Sequence, residues 1–356
     1  MSLKQVTVDE YLAQASRIHT VIDARSPSEF AEDHLPGAIN LPVLDDEERR
    51  IVGTLYKQVS ALEARKVGAA MVARRIAGHL EAQVAHQPRD WQPLVYCWRG
   101  GQRSGSLAWF LSQIGFRTMQ LQGGYKAFRA VVRTQLQTLP ARLHCTVLTG
   151  RTGSGKTRLL QRLAAAGEQV LDLEGLAHHR GSILGAVPGQ PQPSQKRFDT
   201  TIWQALQGFD PARPVYIESE SARIGQLRVP EALLQHMREQ GRTVQLDMPD
   251  AARVALLLED YAHFAHDVPA FCRLLDALTE LQGKARVQSW QALAQAGDWA
   301  TLFARLMAEH YDPLYDRSTR RNFETLAQAP RVALADGGVA ALDRAVAELQ
   351  ALTRTA

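Results

Sequence analysis

The sequence predicts two α/β domains built on parallel sheets, residues 1–139 and 140–356, the second ending in a helical extension. Three observations carry that expectation. Short apolar runs alternate with helix-favouring stretches, and a glycine-rich loop follows an apolar strand in each half. The length of 356 residues also exceeds what one hydrophobic core usually organises. Apolar residues make up 45% and charged residues 22%, globular values that exclude a disordered or collagen-like chain. Bases outnumber acids 41 to 37, so an anionic or RNA partner is accommodated without being demanded.

In the first domain, residues 20–23 (TVID), 94–96 (LVY) and 117–121 read as strands, the last two closed by Gly-Gly pairs. Between the first two lies a long helix-favouring stretch, 45–85, rich in Ala, Arg, Glu and Leu. Residues 125–142 read as a helix and connector broken at Pro140, which sets the expected boundary. The second domain opens with a strand at 143–148 and a helix at 156–166, and 170–172, 215–217 and 244–246 are expected to be buried strands. Residues 188–194 (PGQPQPS) read as loop, and 250–309 as almost wholly helical.

The three cysteines, Cys97, Cys145 and Cys272, are odd in number and far apart, which excludes a disulfide framework and a CxxC zinc site. No apolar run approaches the roughly 18 residues of a membrane span. The first residues lack the basic-then-apolar pattern of a secretory signal, so a cytoplasmic protein without a membrane partner is expected.

Cys97 follows a strand and opens the run Cys97-Trp98-Arg99-Gly100-Gly101-Gln102-Arg103-Ser104. Two glycines among the five residues between Cys97 and Arg103 let the backbone curl into an anion cradle, with a helix N-terminus behind it. Cys97 is suited to be a thiolate nucleophile there, with Arg99 and Arg103 holding an oxyanion. Cys145, inside a strand, and Cys272, on a helix, are expected to be inert. The same bowl serves phosphate-ester cleavage or chalcogen transfer.

Gly150-Arg151-Thr152-Gly153-Ser154-Gly155-Lys156-Thr157 fits GxxxxGK[ST] between an apolar strand and a helix. Its amides suit a di- or triphosphate, Lys156 the terminal phosphate and Thr157 a Mg²⁺ ion. The acids that could assist a metal are Asp172, Glu174, Glu218 and Glu220, with Asp247 behind them. No base-recognition motif accompanies the loop, so a diphosphate outside a nucleotide fits as well. His178, His179 and Arg180 follow the second strand of this half, on the side where substrates of such domains usually sit, and read as substrate contacts or as a solvated loop. His263 and His266 read as a surface helix face rather than a metal site. Residues 311–323 mix aromatic and basic residues, with Arg317, Arg320 and Arg321 suited to RNA contact.

The segments 21–30 (VIDARSPSEF) and 34–42 (HLPGAINLP), with the Cys97 loop, strongly resemble the rhodanese domain over about residues 6–132. Asp33 stands where that family usually has Gly, and Asp23 and Arg25 are expected to brace the loop by a salt bridge. The resemblance implies a rhodanese-like first domain in which Cys97 carries the transferred chalcogen. Segments 96–104, 121–126 and 173–182, together with a P-loop NTPase-like second domain, make the chain similar to the bacterial tRNA 2-selenouridine synthase family over nearly its whole length. That resemblance implies an enzyme acting on the anticodon region of tRNA. It exchanges wobble 2-thiouridine for 2-selenouridine by S-geranylation from geranyl diphosphate, then selenium transfer from selenophosphate through Cys97. Trp98, Gly100, Gly101 and Gln102 would line the selenium site, no tightly bound cofactor is implied, and a selenophosphate-producing enzyme would be a partner. A Cys-x5-Arg phosphatase fused to a P-loop kinase is the competing reading, and a non-catalytic RNA-binding module the third.

Overall fold

The structure, a computed structural model, describes residues 3–354, with the side chains of residues 320, 324, 325 and 354 outside the description. The fold is α/β, with two compact units. One takes the chain as far as Gln135 and adds Ser194–Gln204; the other takes Leu136–Pro193 and the chain from Ala205 onward. The break between 139 and 140 expected from Pro140 thus lies a few residues inside the second unit. Residues 194–204, read from sequence as part of the second domain, pack with the first.

In the first unit β1 (Lys4–Val6), β2 (Thr20–Asp23), β3 (Ala38–Asn40), β4 (Pro93–Tyr96) and β5 (Met119–Leu121) form a parallel sheet in the order β1-β5-β4-β2-β3. Short β1 and β3 were not expected from the apolar runs, because each has only three residues and β3 buries none of them. Ile22 and Val95 are paired across the two central strands, and Leu107, Leu111, Ile76 and Trp91 pack in the same core. The helical stretch at 45–85 is two helices, Asp46–Gln58 and Ala61–His79, followed by a π turn. Ser60 causes the break: its side chain accepts the Glu63 amide and starts a new helix.

In the second unit β6 (His144–Thr149), β7 (Gln169–Leu171), β8 (Pro214–Glu218), β11 (Arg242–Asp247) and β12 (Arg331–Ala333) make a parallel sheet ordered β12-β11-β6-β8-β7. A two-stranded antiparallel ribbon, β9 (Arg223–Ile224) and β10 (Leu227–Arg228), stands beside it in sequence. β6 is central, so its C-terminal end opens at the crevice where ligands bind in such sheets. Leu159, Leu160 and Leu163 of the helix Lys156–Ala165 pack on Leu148 and Val244, fixing the loop between strand and helix. The helical extension has its own core of Phe264, Phe271, Trp290, Leu302 and Leu306. No helix among the described residues is long and apolar enough to cross a membrane.

Candidate functional site

Cys97 sits at the end of β4, buried to 3% exposure at the base of the loop. Glycine is needed where this loop meets the turn after β5. Gly100 (φ +67°) and Gly124 (φ +55°) both adopt left-handed backbone. A Cβ on Gly100 would lie 2.5 Å from the Leu121 carbonyl, and one on Gly124 would strike the Cys97 carbonyl. The Tyr125 and Lys126 amides donate to the Cys97 and Trp98 carbonyls at 2.8 and 2.9 Å, locking the loop from outside. Among the described residues the amides of Trp98, Arg99, Gly100 and Gly101 donate to no protein acceptor, which leaves them for an anion.

Two residues beyond the expected set complete this site. Ser104 Oγ donates to Cys97 Sγ at 3.1 Å, and Gln120 Nε2 donates to Ser104 Oγ at 2.9 Å. Gln120 fills the acceptor side of that hydroxyl, and its proton is shared between the Cys97 sulfur and the Gly101 carbonyl at 3.2 Å. Arg103 does not face the bowl with a free charge. Its guanidinium donates to Glu29 at 2.6 Å, and Arg49 meets the same carboxylate at 2.9 Å. Burial opposes ionisation of Glu29, but these two guanidinium groups hold its carboxyl below the usual range. Arg99 and Trp98 are exposed, the Trp98 ring 5.5 Å from that of Tyr125, and Gln102 is also exposed.

Asp23 and Arg25 form the expected salt bridge, at 2.6 Å with both side chains buried, and Arg25 also donates to the Asp33 carbonyl. Asp33 is more than a loop variation. Its fully buried carboxylate accepts from the hydroxyls of Tyr125 (2.8 Å) and Thr200 (2.9 Å), with Arg129 at 3.8 Å. Thr200 belongs to the 194–204 segment, so this carboxylate helps fasten the segment to the first unit, beside the Arg129–Asp199 and Lys196–Glu32 ion pairs and the Phe128–Trp203 ring contact. The other cysteines are placed for inertness: Cys145 is buried in β6, which pushes its thiol up to about 12, and burial raises that of half-buried Cys272 as well.

The phosphate loop wraps from β6 into its helix with Gly153 and Gly155 in left-handed backbone. Ser154 Oγ is buried without a partner among the described residues. A Cβ on Gly150 would lie 2.5 Å from that oxygen. Lys156 Nζ donates to the Gly150 carbonyl at 2.6 Å, holding its charge over the loop. The loop borders a cavity of about 620 Å³ whose polar side includes Lys156, Thr157, Glu174, Arg180 and Glu220. Leu257, Tyr261, Leu314 and Phe323 form an apolar wall.

Thr157 donates to Glu174 at 3.2 Å, and Glu218 at the end of β8 accepts the Glu174 amide at 2.9 Å. Burial pushes Glu174 up to about 7, opposed by Lys156, and Glu220 up to about 8 with the Glu174 charge adding to it. Fully buried Glu218 is raised well above the carboxylate range by burial and these neighbours, and its Oε2 has no partner among the described residues. Asp172 caps the Gly175 amide. Among the described residues no group of three or more His, Cys, Asp or Glu is arranged around a metal. Thr157, Glu174 and Glu220 are nonetheless the hard oxygen donors that Mg²⁺ takes beside substrate phosphates, so the residues fit that ion.

The remaining expected residues divide. Arg180 lines the cavity, donating to the Asp260 carbonyl with its guanidinium over the Tyr261 ring at 5.1 Å. His178 is exposed and meets the Pro191 carbonyl at 3.2 Å, while His179 pairs with Ala186 and has a buried Nδ1 without a partner among the described residues. Neither histidine lines the cavity. The helix Asp312–Asn322 is clamped to the phosphate loop: Tyr315 OH accepts the Gly150 amide at 2.5 Å, Arg151 pairs with Asp316 at 2.7 Å, and Asp312 binds buried Arg253. Arg317 and Arg321 are exposed, and the side chain of Arg320 lies outside the described residues.

Two domain families match the chain: rhodanese-like domain over residues 7–131 and tRNA 2-selenouridine synthase AAA domain over 143–274. A tRNA 2-selenouridine synthase of a Sulfurovum species is 32% identical over 337 residues, covering 85% of this chain and 89% of that protein. That of Alcanivorax borkumensis is 34% identical over 349 residues, covering 89% and 94%. Among solved structures, a rhodanese-related protein of Thermoplasma volcanium aligns with 36% of this chain and 92% of its own, at 19% identity and a TM-score of 0.24. With both domain families in order and relatives matched nearly end to end, the chain belongs to the tRNA 2-selenouridine synthase family.

Proposed function

We propose that this enzyme is a tRNA-modifying transferase that replaces the sulfur of wobble 2-thiouridine by selenium in two steps. The phosphate loop binds geranyl diphosphate and alkylates the thiocarbonyl sulfur; the Cys97 loop then directs selenium from selenophosphate to C2. The observation that carries this reading is the pair of anion cradles, one in each unit, each with an unused buried or backbone donor set. A thiocarbonyl sulfur leaves poorly, and alkylation turns it into a good leaving group.

At the phosphate loop, Lys156, the loop amides and the Ser154 hydroxyl stabilise pyrophosphate as its charge develops, and the wall of Leu257, Tyr261, Leu314 and Phe323 takes the prenyl chain. Thr157, Glu174 and Glu220 would hold Mg²⁺, which supplies further charge neutralisation when bound. Arg180 at the cavity edge, and Arg317 and Arg321 on the exposed helix face, are proposed to meet the tRNA backbone.

At the cysteine loop, the free amides and Arg99 hold selenophosphate beside Cys97. The C2–Se bond forms, sulfur departs with its electron pair as geranylthiolate, and water releases phosphorus as phosphate. Selenium stays at the selenide level throughout, so Cys97 acts by holding selenophosphate in line with C2 rather than by carrying the selenium as an S-selanyl group, which would need a two-electron oxidant. A selenophosphate-producing enzyme is the proposed supplier. A Cys-x5-Arg phosphatase is less well served here, since the Arg103 that would embrace a phosphoryl group is engaged by Glu29.

The test supplies 2-thiouridine tRNA, geranyl diphosphate and selenophosphate, followed by mass spectrometry of the nucleosides. Wild type is expected to give 2-selenouridine, Cys97→Ala to accumulate S-geranyl-2-thiouridine, and Lys156→Ala to leave 2-thiouridine. Unchanged 2-thiouridine with folded wild type would refute the proposal.

A further inference from the structure

The helices Asp46–Gln58 and Ala61–His79, inserted between β3 and β4, leave a groove of about 820 Å³ against the helix Gln102–Ile114. That volume lies within the range of small-molecule sites. Its walls are Leu44, Val52, Tyr56, Val72, Trp109 and Phe110, and its only charged lining residues are Arg65 and Arg103. Tyr56 is 62% and Trp109 52% exposed, so two large aromatic faces meet water along the groove. The groove starts where the cysteine loop ends, because Gln102 and Arg103 line it and also form the first turn after that loop.

We propose that this groove holds the geranyl chain of S-geranyl-2-thiouridine RNA while its C2 carbon faces the Cys97 loop. The inference rests on the function proposed above and adds a second prenyl site to it, in the unit that handles selenium. An alkylated nucleotide brings a polar uracil and an apolar tail to the same cysteine, and an anion cradle has no place for the tail. The flat rings of Tyr56, Trp109 and Phe110 suit an isoprenoid, and Arg65 suits a phosphate of the attached strand. When the C2–S bond breaks and C2–Se forms, geranylthiolate leaves with its electron pair into apolar surroundings and takes a proton from water. The groove also provides selectivity: RNA that has not been alkylated gains nothing from it.

The test gives the full chain selenophosphate and anticodon stem-loops carrying preformed S-geranyl- or S-methyl-2-thiouridine, with 2-selenouridine as the readout. Val72→Trp fills the groove, and Trp109→Ala strips a wall from an exposed position. Geranylation of a 2-thiouridine stem-loop from geranyl diphosphate is measured in parallel. Wild type is expected to favour S-geranyl over S-methyl RNA by at least about tenfold in kcat/KM. Both variants should bring that ratio to within about twofold while geranylation stays at the wild-type rate. Variants that keep the wild-type preference, or a wild type that converts both RNAs equally, overturn the groove alone. If wild type converts neither alkylated RNA, the proposed function falls and the groove with it.

Discussion

Asp33→Ala should loosen the 194–204 segment without unfolding the second unit. The substitution removes the buried acceptor of the Tyr125 and Thr200 hydroxyls, whereas Arg129 keeps Asp199 at 2.9 Å. A buried donor left without a partner costs about 1–3 kcal/mol, so two of them weaken the attachment by roughly 3 kcal/mol. At about 1.4 kcal/mol per tenfold, amides in 195–204 should exchange with deuterium roughly 100-fold faster if they open locally. Thr200→Val keeps the β-branched shape and leaves Asp33 its Tyr125 bond, and should accelerate exchange only about fivefold. Peptides covering β6 and β11 in the second unit are the internal reference. Unchanged protection of 195–204 in both variants would show that Asp33 does not fasten the segment. An equal loss across the whole chain would show global rather than local damage.

Ser104→Ala should slow iodoacetamide labelling of Cys97 about tenfold by removing the hydroxyl donor to its sulfur, with Cys145 unlabelled in either protein; an unchanged rate would remove Ser104 from the site. Gly124→Ala forces a Cβ into the Cys97 carbonyl, and should abolish selenation from preformed S-geranyl RNA while geranylation continues; retained selenation would show that the loop shape is dispensable. Glu174 and Glu220 bind protons more tightly folded than unfolded, so their stabilisation is complete below the usual 4.5 and is lost as pH rises through about 7 to 8. Glu220→Gln should therefore raise Tm near pH 9 and flatten its fall between about pH 4.5 and 8, and a profile parallel to wild type would count against the acid cluster.

The parts of this architecture that depend on neighbours in sequence could be read before any coordinates. The runs 20–23 and 94–96 are strands, and the loops after β4 and β6 stand where their glycines and following helices imply. What escaped was long-range. Glu29 lies in the segment that resembles rhodanese, yet nothing local says that its carboxylate will meet Arg103. Gln120 reads as one more residue of the strand run 117–121, and only the fold places its amide on Ser104. The aromatic-basic stretch 311–323 has a composition suited to RNA, but Tyr315, Asp316 and Asp312 turn most of it inward on Gly150, Arg151 and Arg253. Asp33 looked like a tolerated loop change because its partners, Tyr125 and Thr200, are separated from it by most of a domain and more.

The return of 194–204 to the first unit also has a consequence for synthesis. A chain emerging from the ribosome exposes β1 to β5 and the whole cysteine loop early, but the hydroxyl of Thr200 that satisfies Asp33 emerges 65 residues after Gln135. At about 5–20 residues per second that is a delay of several seconds, during which the phosphate loop has already been made. The nascent first unit therefore waits with an incomplete acceptor shell at Asp33, and its last piece arrives only after the second unit has begun. A truncated chain ending near residue 139 would remain in that waiting state, so an isolated rhodanese-like half is a poor stand-in for the same half within the whole protein.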